Sequence, residues 1–165
     1  SETSFYKTSF GQRSVIDSWV LRLIFFKSNQ QSAIPLFIKT KIQPFNIMYV
    51  QSLSSLMHDI INKKTPENLI NLFTHVSDIH QYATRSSTSK NLFTKPSRLN
   101  LQLNSFSRIG VRLWNSIPGD IRVMSKRSFK KYLSDHLFST LESEDHYFDV
   151  SESIQAFSKL KSAVS

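Results

Sequence analysis

The sequence predicts a mainly α-helical fold, a small helical domain with one short β-hairpin and a loosely ordered acidic C-terminal tail. Apolar residues recur every three or four positions in four segments, which is the spacing of an amphipathic helix. One segment, residues 98–106, instead alternates apolar and polar residues. In a chain of 165 residues we expect one folded domain over residues 15–141, a flexible extension over residues 1–14 and the tail over residues 142–165.

Two helices are predicted in the first third of the chain. The first covers residues 15–26, and the apolar face that we expect it to bury contains Val15, Ile16, Trp19, Val20 and Leu23. Residues 35–46 contain two prolines and are predicted to be extended, with Asn46 as the N-cap of the next helix. That helix covers residues 47–61. Its expected buried residues are Ile47, Val50, Leu53, Ile60 and either Leu56 or Met57.

The middle of the chain is predicted to contain the hairpin. A short helix over residues 65–73, with Thr65 as its N-cap, precedes a polar loop over residues 77–97. In residues 98–106, Leu99, Leu101 and Leu103 share one face and polar residues the other, which indicates a half-buried strand. A strand needs a partner, and residues 91–94 are the nearest candidate, so the hairpin is expected near residues 91–106.

Two further helices are predicted after the hairpin. The first begins at Ser107 as N-cap and ends before Pro118, because the residue that precedes a proline resists helical geometry. Its inward residues are Ile109, Leu113 and Trp114, and its outward residues are Arg108 and Arg112. The second covers residues 126–141. Its inward residues are Phe129, Tyr132, Leu133, Leu141 and either His136 or Leu137.

The charge distribution is uneven. The chain carries a net charge of +9, but the stretch from Gln81 to Ser134 holds eleven basic residues and one acid, a net of +10. From Asp135 to the end, six acids and two lysines give a net of −4. A dense cationic block is typical of a surface that binds nucleic-acid phosphates, and it is also compatible with a merely solvated surface.

The residue types of catalytic and metal sites do not form clusters. The absence of cysteine excludes disulfides, cysteine-ligated zinc and thiol catalysis. No two histidines are four residues apart, no glycine-rich phosphate loop is present, and the only adjacent acids are Glu144 and Asp145. We therefore expect no enzymatic activity of the chain by itself, no metal site and no cofactor.

Nothing in the sequence predicts secretion or a membrane span. The first residues lack the apolar core of a signal peptide, and the longest apolar stretch, residues 19–26, is interrupted by Arg22. We expect an intracellular protein, nuclear or cytoplasmic, with no membrane partner, although the basic amphipathic segment 126–137 would also permit binding to a membrane surface. The lack of an initiator methionine favours a fragment of a longer protein.

Aromatic residues are interleaved with the cationic block, where they could stack on unpaired bases. They are Tyr82, Phe93, Phe106, Trp114, Phe129 and Tyr132. For Trp114 a core position is favoured, because it shares a helical face with aliphatic residues.

Four stretches resemble the region that follows the polymerase core in non-LTR (LINE-type) retrotransposon reverse transcriptases. Residues 21–52 resemble the segment that leads through Pro-Leu-Phe into a long helix, and "IHQYATRSS" (79–87) resembles the family's His-x-Tyr-x-Thr-Arg element. "GVRLWNSIPGDIR" (110–122) resembles its Trp-Asn-x-x-Pro element, and "SFKKYLSDHLF" (128–138) its closing helix. The four occur in the family's order and spacing.

The resemblance implies an accessory region, at or after the thumb, of a parent protein that carries an endonuclease and an RNA-directed DNA polymerase. The chain lacks the polymerase's catalytic Tyr/Phe-x-Asp-Asp element, so polymerase activity does not carry over. It also lacks the Cys/His knuckle of some relatives, so zinc-assisted RNA binding does not carry over either. The motif residues implied to serve structure are His80, Tyr82, Trp114, Asn115 and Pro118.

The leading hypothesis is that this region contacts RNA or DNA backbone without catalysis of its own, beside the rest of the parent reverse transcriptase. The residues expected to bind nucleic acid are Arg85, Arg108, Arg112, Lys126, Arg127, Lys130 and Lys131. The alternative is a structural or protein-interaction remnant of a retrotransposon polyprotein that binds no nucleic acid.

Overall fold

In a computed structural model of the chain, the described residues are 16–28, 30, 32–79, 90–96, 105–143, 154, 155 and 157. They are mainly helical, as predicted, and they contain no strand. The helices are α1 (16–24), α2 (Ile34–Thr40), α3 (Phe45–Ile61), α4 (Glu67–Ile70), α5 (Val76–Ile79), α6 (Phe106–Ser116), α7 (Gly119–Arg122) and α8 (Lys126–Ser143).

The chain divides into two compact units, each with its own buried residues. The first unit contains residues 1–51 and 132–153, and the second contains residues 52–131 and 154–165. The described core of the first unit is Leu21, Ala33, Ile34, Leu36, Phe37, Ile47, Val50, Leu133 and Leu137. That of the second is Leu53, Met57, Ile60, Val76, Leu92, Val111, Leu113, Trp114, Ile117, Ile121, Phe129 and Phe157.

Helix α1 confirms the predicted helix, but the face predicted to be buried was wrong. The exposed fractions are 57% for Ile16, 52% for Trp19, 40% for Val20 and 61% for Leu23. Ser18 and Leu21 face inward instead. The Asp17 carboxylate accepts a hydrogen bond from the backbone N–H of Phe45, at 3.2 Å, in the first turn of α3. The bond satisfies one of the first amides of α3, which have no partner within their own helix.

The prediction of an extended segment over residues 35–46 was wrong, since α2 covers residues 35–40 and α3 begins at Phe45. Pro35 lies in the first turn of this helix, where the missing N–H removes no hydrogen bond and the fixed φ suits a helix. The helix ends at Thr40, and its C-cap, Lys41, has a left-handed φ of 56°. Asn46 is not an N-cap but a buried residue of α3, which begins at Phe45.

Helix α3 confirms the clearest helical prediction. The residues expected inside are buried, and of the two alternatives Met57 is buried while Leu56 is exposed. Beyond its last turn, Lys63 has a φ of 55°, and the amide of Lys64 bonds back to the carbonyl of Asp59 at 2.8 Å. This six-to-one hydrogen bond past a left-handed residue is a common way to end a helix.

In the region predicted to hold a hairpin, Leu92 forms an isolated antiparallel bridge with His75, which lies before that region. The hairpin itself is not observed among the described residues. Residues 97–104, which include most of the predicted second strand, lie outside the described residues, and Phe106 begins α6. The helix predicted over residues 65–73 is the single turn α4. Its N-cap is Pro66 and not Thr65, which was the predicted N-cap, and no side chain caps the helix.

Helices α6 and α8 follow the predicted pattern with small differences. The N-cap of α6 is Ser105 rather than Ser107, and the helix ends at Ser116, as the following Pro118 predicts. In α8, Leu137 is buried whereas His136 is half-buried. Burial lowers the pKa of His136, so its imidazole is more readily neutral than an exposed one.

Candidate nucleic-acid interface

In the second unit, the side chain of Asn115 forms two hydrogen bonds with the backbone of Leu92, as a neighbouring strand would. Its side-chain amide donates a hydrogen bond to the carbonyl of Leu92, at 2.8 Å, and its Oδ1 accepts one from the N–H of Leu92, at 2.9 Å. Leu92 is fully buried, so both of its backbone groups need partners within the protein. The side chain of Asn115 supplies both of these partners.

Arg122 is buried and closes the C-terminal end of α6. Its Nε donates to the carbonyl of Ile117 at 2.7 Å, and its Nη2 donates to the carbonyl of Asn115 at 3.0 Å. Its Nη1 donates to Oδ1 of Asn91 at 3.0 Å. The last carbonyls of a helix have no partner within it, and a cation is favourable at that end.

Burial lowers the pKa of Arg122 to about 10, so the guanidinium keeps its charge at neutral pH. Its central carbon lies 5.7 Å from the centre of the Trp114 ring, which adds a cation–π contact. Arg122 belongs to the basic block of the sequence, but it is only 7% exposed and cannot serve as a surface charge.

Three rings form the centre of this unit. The ring of His58 lies 4.7 Å from that of Phe129 and 6.3 Å from that of Trp114, measured between centroids. The Nε2 of His58 is 3.0 Å from the carbonyl of Met124, so Nε2 carries a proton and donates it. Nδ1 is then free to accept from the amide of Asn62, 3.3 Å away. Trp114 is thereby packed among α3, α6 and α8, in the core position predicted for it.

Helices α3 and α6 approach each other closely at Gly110. A Cβ atom added there would lie 2.7 Å from Sδ of Met57, closer than side chains normally come. Met57 is fully buried, so its side chain has little room to move. A glycine at position 110 is thus required by packing.

Four of the predicted nucleic-acid-binding residues are exposed and have no carboxylate partner among the described residues. They are Arg112 on α6 and Arg127, Lys130 and Lys131 on α8. The three on α8, at positions i, i+3 and i+4, lie on one side of the helix. We call these three residues the α8 strip.

The other predicted binding residues have partners or are not described. The Lys126 ammonium forms an ion pair with Asp59, whose side chain is largely buried. Arg108 is half-buried, and its Nη1 donates to the carbonyl of Lys95 at 3.3 Å. Arg85 lies outside the described residues, as do His80 and Tyr82 of the predicted structural set.

The aromatic residues of the cationic block do not form an open stacking surface in the described part of the chain. Trp114 and Phe129 are buried. Phe106 packs edge-on against Phe73, with ring centres 5.9 Å apart, and Tyr132 is stacked on a histidine of its own helix. The cations are therefore more accessible than the rings.

Two basic residues have side-chain partners that the sequence did not predict, Asp59 for Lys126 and Asn91 for Arg122. Asp59 is 67 positions from Lys126, and Asn91 is 31 positions from Arg122, so no local pattern connects them. Only the tertiary fold brings each pair together.

Within the described residues, no group of three metal-ligating side chains occurs, and no helix is long and apolar enough to cross a membrane. A shallow groove of about 590 Å³ lies in the first unit. Its only charged lining residues are Lys41 and Asp135, and Gln43 and Ser134 bond to each other across it.

No protein-family model, curated protein or solved structure matches the chain.

Proposed function

We propose that this chain is a non-catalytic accessory region of a retrotransposon RNA-directed DNA polymerase that binds the backbone of RNA or DNA. The observation that carries the proposal is the set of four exposed cations, Arg112 and the α8 strip, without carboxylate partners among the described residues. They belong to a stretch with eleven basic residues and one acid. The resemblance of four ordered motifs supports the identity of the parent protein, which acts in the nucleus or cytoplasm.

Phosphate contact accounts for these residues better than base recognition does. The α8 strip spans about 6 Å along the helix axis, at 1.5 Å per residue, so adjacent cations can reach different phosphates of one strand. A guanidinium binds a phosphate with two parallel hydrogen bonds, whereas an ammonium acts as a point charge. Such contacts position a nucleic acid but carry no sequence information.

A second candidate function is protein interaction without nucleic-acid binding. The exposed apolar face of α1 favours it, because soluble proteins rarely expose contiguous apolar patches of more than a few hundred Å² without an interaction partner. This face belongs to the first unit, whereas the four cations belong to the second, so separate experiments test the two functions.

Fluorescence anisotropy with single-stranded RNA and with duplex DNA, across a salt series, tests the first function. If the four cations each contact one phosphate, the logarithm of the affinity should fall with the logarithm of salt concentration with a slope of about −3. Replacing Arg112, Arg127, Lys130 and Lys131 by alanine should remove most of the binding and flatten the slope.

A matched control removes four other charges from the same unit. Its substitutions are Lys63→Ala, Lys64→Ala, Lys90→Ala and Lys95→Ala, all at exposed positions. This control should retain the salt slope of the original chain and most of its affinity. Equal losses in both variants would mean that total charge, rather than this surface, drives binding. Absence of binding at low salt would contradict the proposal.

A further inference from the structure

Two consecutive residues in the last turn of α3 hold the start of α8. His58 donates a hydrogen bond to the carbonyl of Met124, at 3.0 Å. The Asp59 carboxylate forms an ion pair with the ammonium of Lys126, the first residue of α8. All four residues belong to the second unit, which also contains the four exposed cations. The start of α8 is therefore attached to α3 by two neighbouring contacts, one of which engages a cation of the basic block.

The ion pair between Asp59 and Lys126 is costly to break. An acid in the last turn of a helix and a cation in the first turn are both unfavourable to the helix dipole, and here each charge offsets the other. The Asp59 side chain is only 17% exposed, and its Oδ1 is buried with no hydrogen-bond partner in the described part of the chain. Removing Lys126 would leave a largely buried carboxylate without a partner, which is strongly destabilising.

We propose that Asp59 limits the nucleic-acid-binding surface by keeping Lys126 out of it, an inference that rests on the proposed function. Lys126 lies four residues before Lys130, so both lie on one side of α8, and an unpaired Lys126 would extend the α8 strip. Paired with Asp59, Lys126 adds no net charge, and a phosphate that met the pair would release no counterion. The surface then consists of Arg112 and the α8 strip, and along α8 it ends at Arg127.

Asp59→Asn tests this role, because an amide has nearly the shape of a carboxylate without its charge. The substitution frees the charge of Lys126, so binding should tighten. The salt slope should steepen by about 0.7 for single-stranded RNA and by about 0.9 for duplex DNA, since one more phosphate is neutralised. Fluorescence anisotropy across a salt series measures both. In the double variant Asp59→Asn/Lys126→Met, the slope should return to that of the original chain.

Asp120→Asn is the matched control, because it removes the same charge from an exposed position of the same unit. It should keep the slope of the original chain. If the original chain binds, three results would overturn the role of Asp59 and leave the proposed function standing. They are an unchanged slope in Asp59→Asn, a gain that survives Lys126→Met, and an equal gain in Asp120→Asn. Absence of binding by both the original chain and Asp59→Asn would overturn the two proposals together.

Chemical acetylation of the chain without nucleic acid tests the ion pair by itself. Lys126 is half-buried and in contact with Asp59, whereas Lys130 is exposed. Acetic anhydride should therefore modify Lys126 more slowly than Lys130, as measured by mass spectrometry of the digested protein. In Asp59→Asn the difference between the two rates should narrow. Equal rates in the original chain would overturn the pairing of Lys126, and with it the limit that Asp59 places on the surface.

Discussion

Both tryptophans of this chain lie on helices with an amphipathic sequence pattern, yet one is exposed to solvent and the other is buried. Trp19 on α1 is 52% exposed, whereas Trp114 on α6 is 3% exposed. In sequence, each stands among apolar residues at helical spacing, and each was predicted to face inward. Periodicity finds the apolar side of a helix, but it does not say against what, or whether, that side is buried.

The polar contacts around each helix explain the difference. Helix α6 is held by Asn115 and Arg122, which bond to backbone groups near its C-terminal end, and its glycine allows close contact with α3. The apolar side of α6 faces the core of the second unit, where Val111, Leu113 and Trp114 are buried. In α1, Asp17 bonds to the amide of Phe45, and the buried residues are Ser18 and Leu21, so the side that carries these residues faces inward.

The largest expected effect comes from truncating each tryptophan in turn. Trp114→Ala should lower the free energy of unfolding by about 3–5 kcal/mol, because it leaves a cavity beside His58 and Phe129. Trp19→Ala should change it by no more than about 0.5 kcal/mol in dilute solution, where the side chain is half in water. Chemical denaturation followed by circular dichroism measures both. Similar losses would mean that the two environments are not distinct.

A smaller effect is expected from removing the guanidinium that closes α6. Arg122→Met keeps most of the side-chain volume but leaves the carbonyls of Asn115 and Ile117 without their donor, which should cost about 2–3 kcal/mol. Arg122→Lys should restore only part of this, because one ammonium cannot reach three acceptors in the geometry of a guanidinium. Arg112→Met, at an exposed position of α6, is the matched control and should be nearly neutral.

The smallest effect tests the close contact of α6 with α3. Gly110→Ala should destabilise by about 1 kcal/mol, since the clash with Met57 outweighs the better helix propensity of alanine. Gly119→Ala is the control, because a Cβ atom there meets nothing within 4 Å. Thermal unfolding of both variants provides the measurement. If Gly110→Ala were as stable as Gly119→Ala, packing at this point would be looser than described.

Much of the helical content could be predicted from sequence, for reasons that are local. Helix α3 has an uninterrupted apolar pattern, and α6 ends where Pro118 requires it to end. The segment containing α2 was misread because its two prolines suggested extended chain, although Pro35 lies in the one turn of a helix that tolerates it. The predicted hairpin is not shown among the described residues, where residues 91–93 instead bridge to residues 74–76 and the side chain of Asn115 bonds to the backbone of Leu92.

The candidate interface was predicted only in part, because charge counting does not reveal which charges are already engaged. Arg112 and the α8 strip are exposed as predicted. Lys126 binds Asp59, and Arg122 is enclosed, through partners far away in sequence. A basic residue in a sequence is thus a candidate surface charge until its tertiary contacts are known.

Phe26 occupies a position, just after α1, where glycine would be the more favourable residue. Its φ of 51° is left-handed and the residue is 96% exposed, so the ring gains no burial that would offset the strain. Replacement by glycine would remove about 1 kcal/mol of strain and take one large apolar ring out of water. The same substitution would therefore raise stability and solubility together, so selection for either property alone would tend to replace this residue.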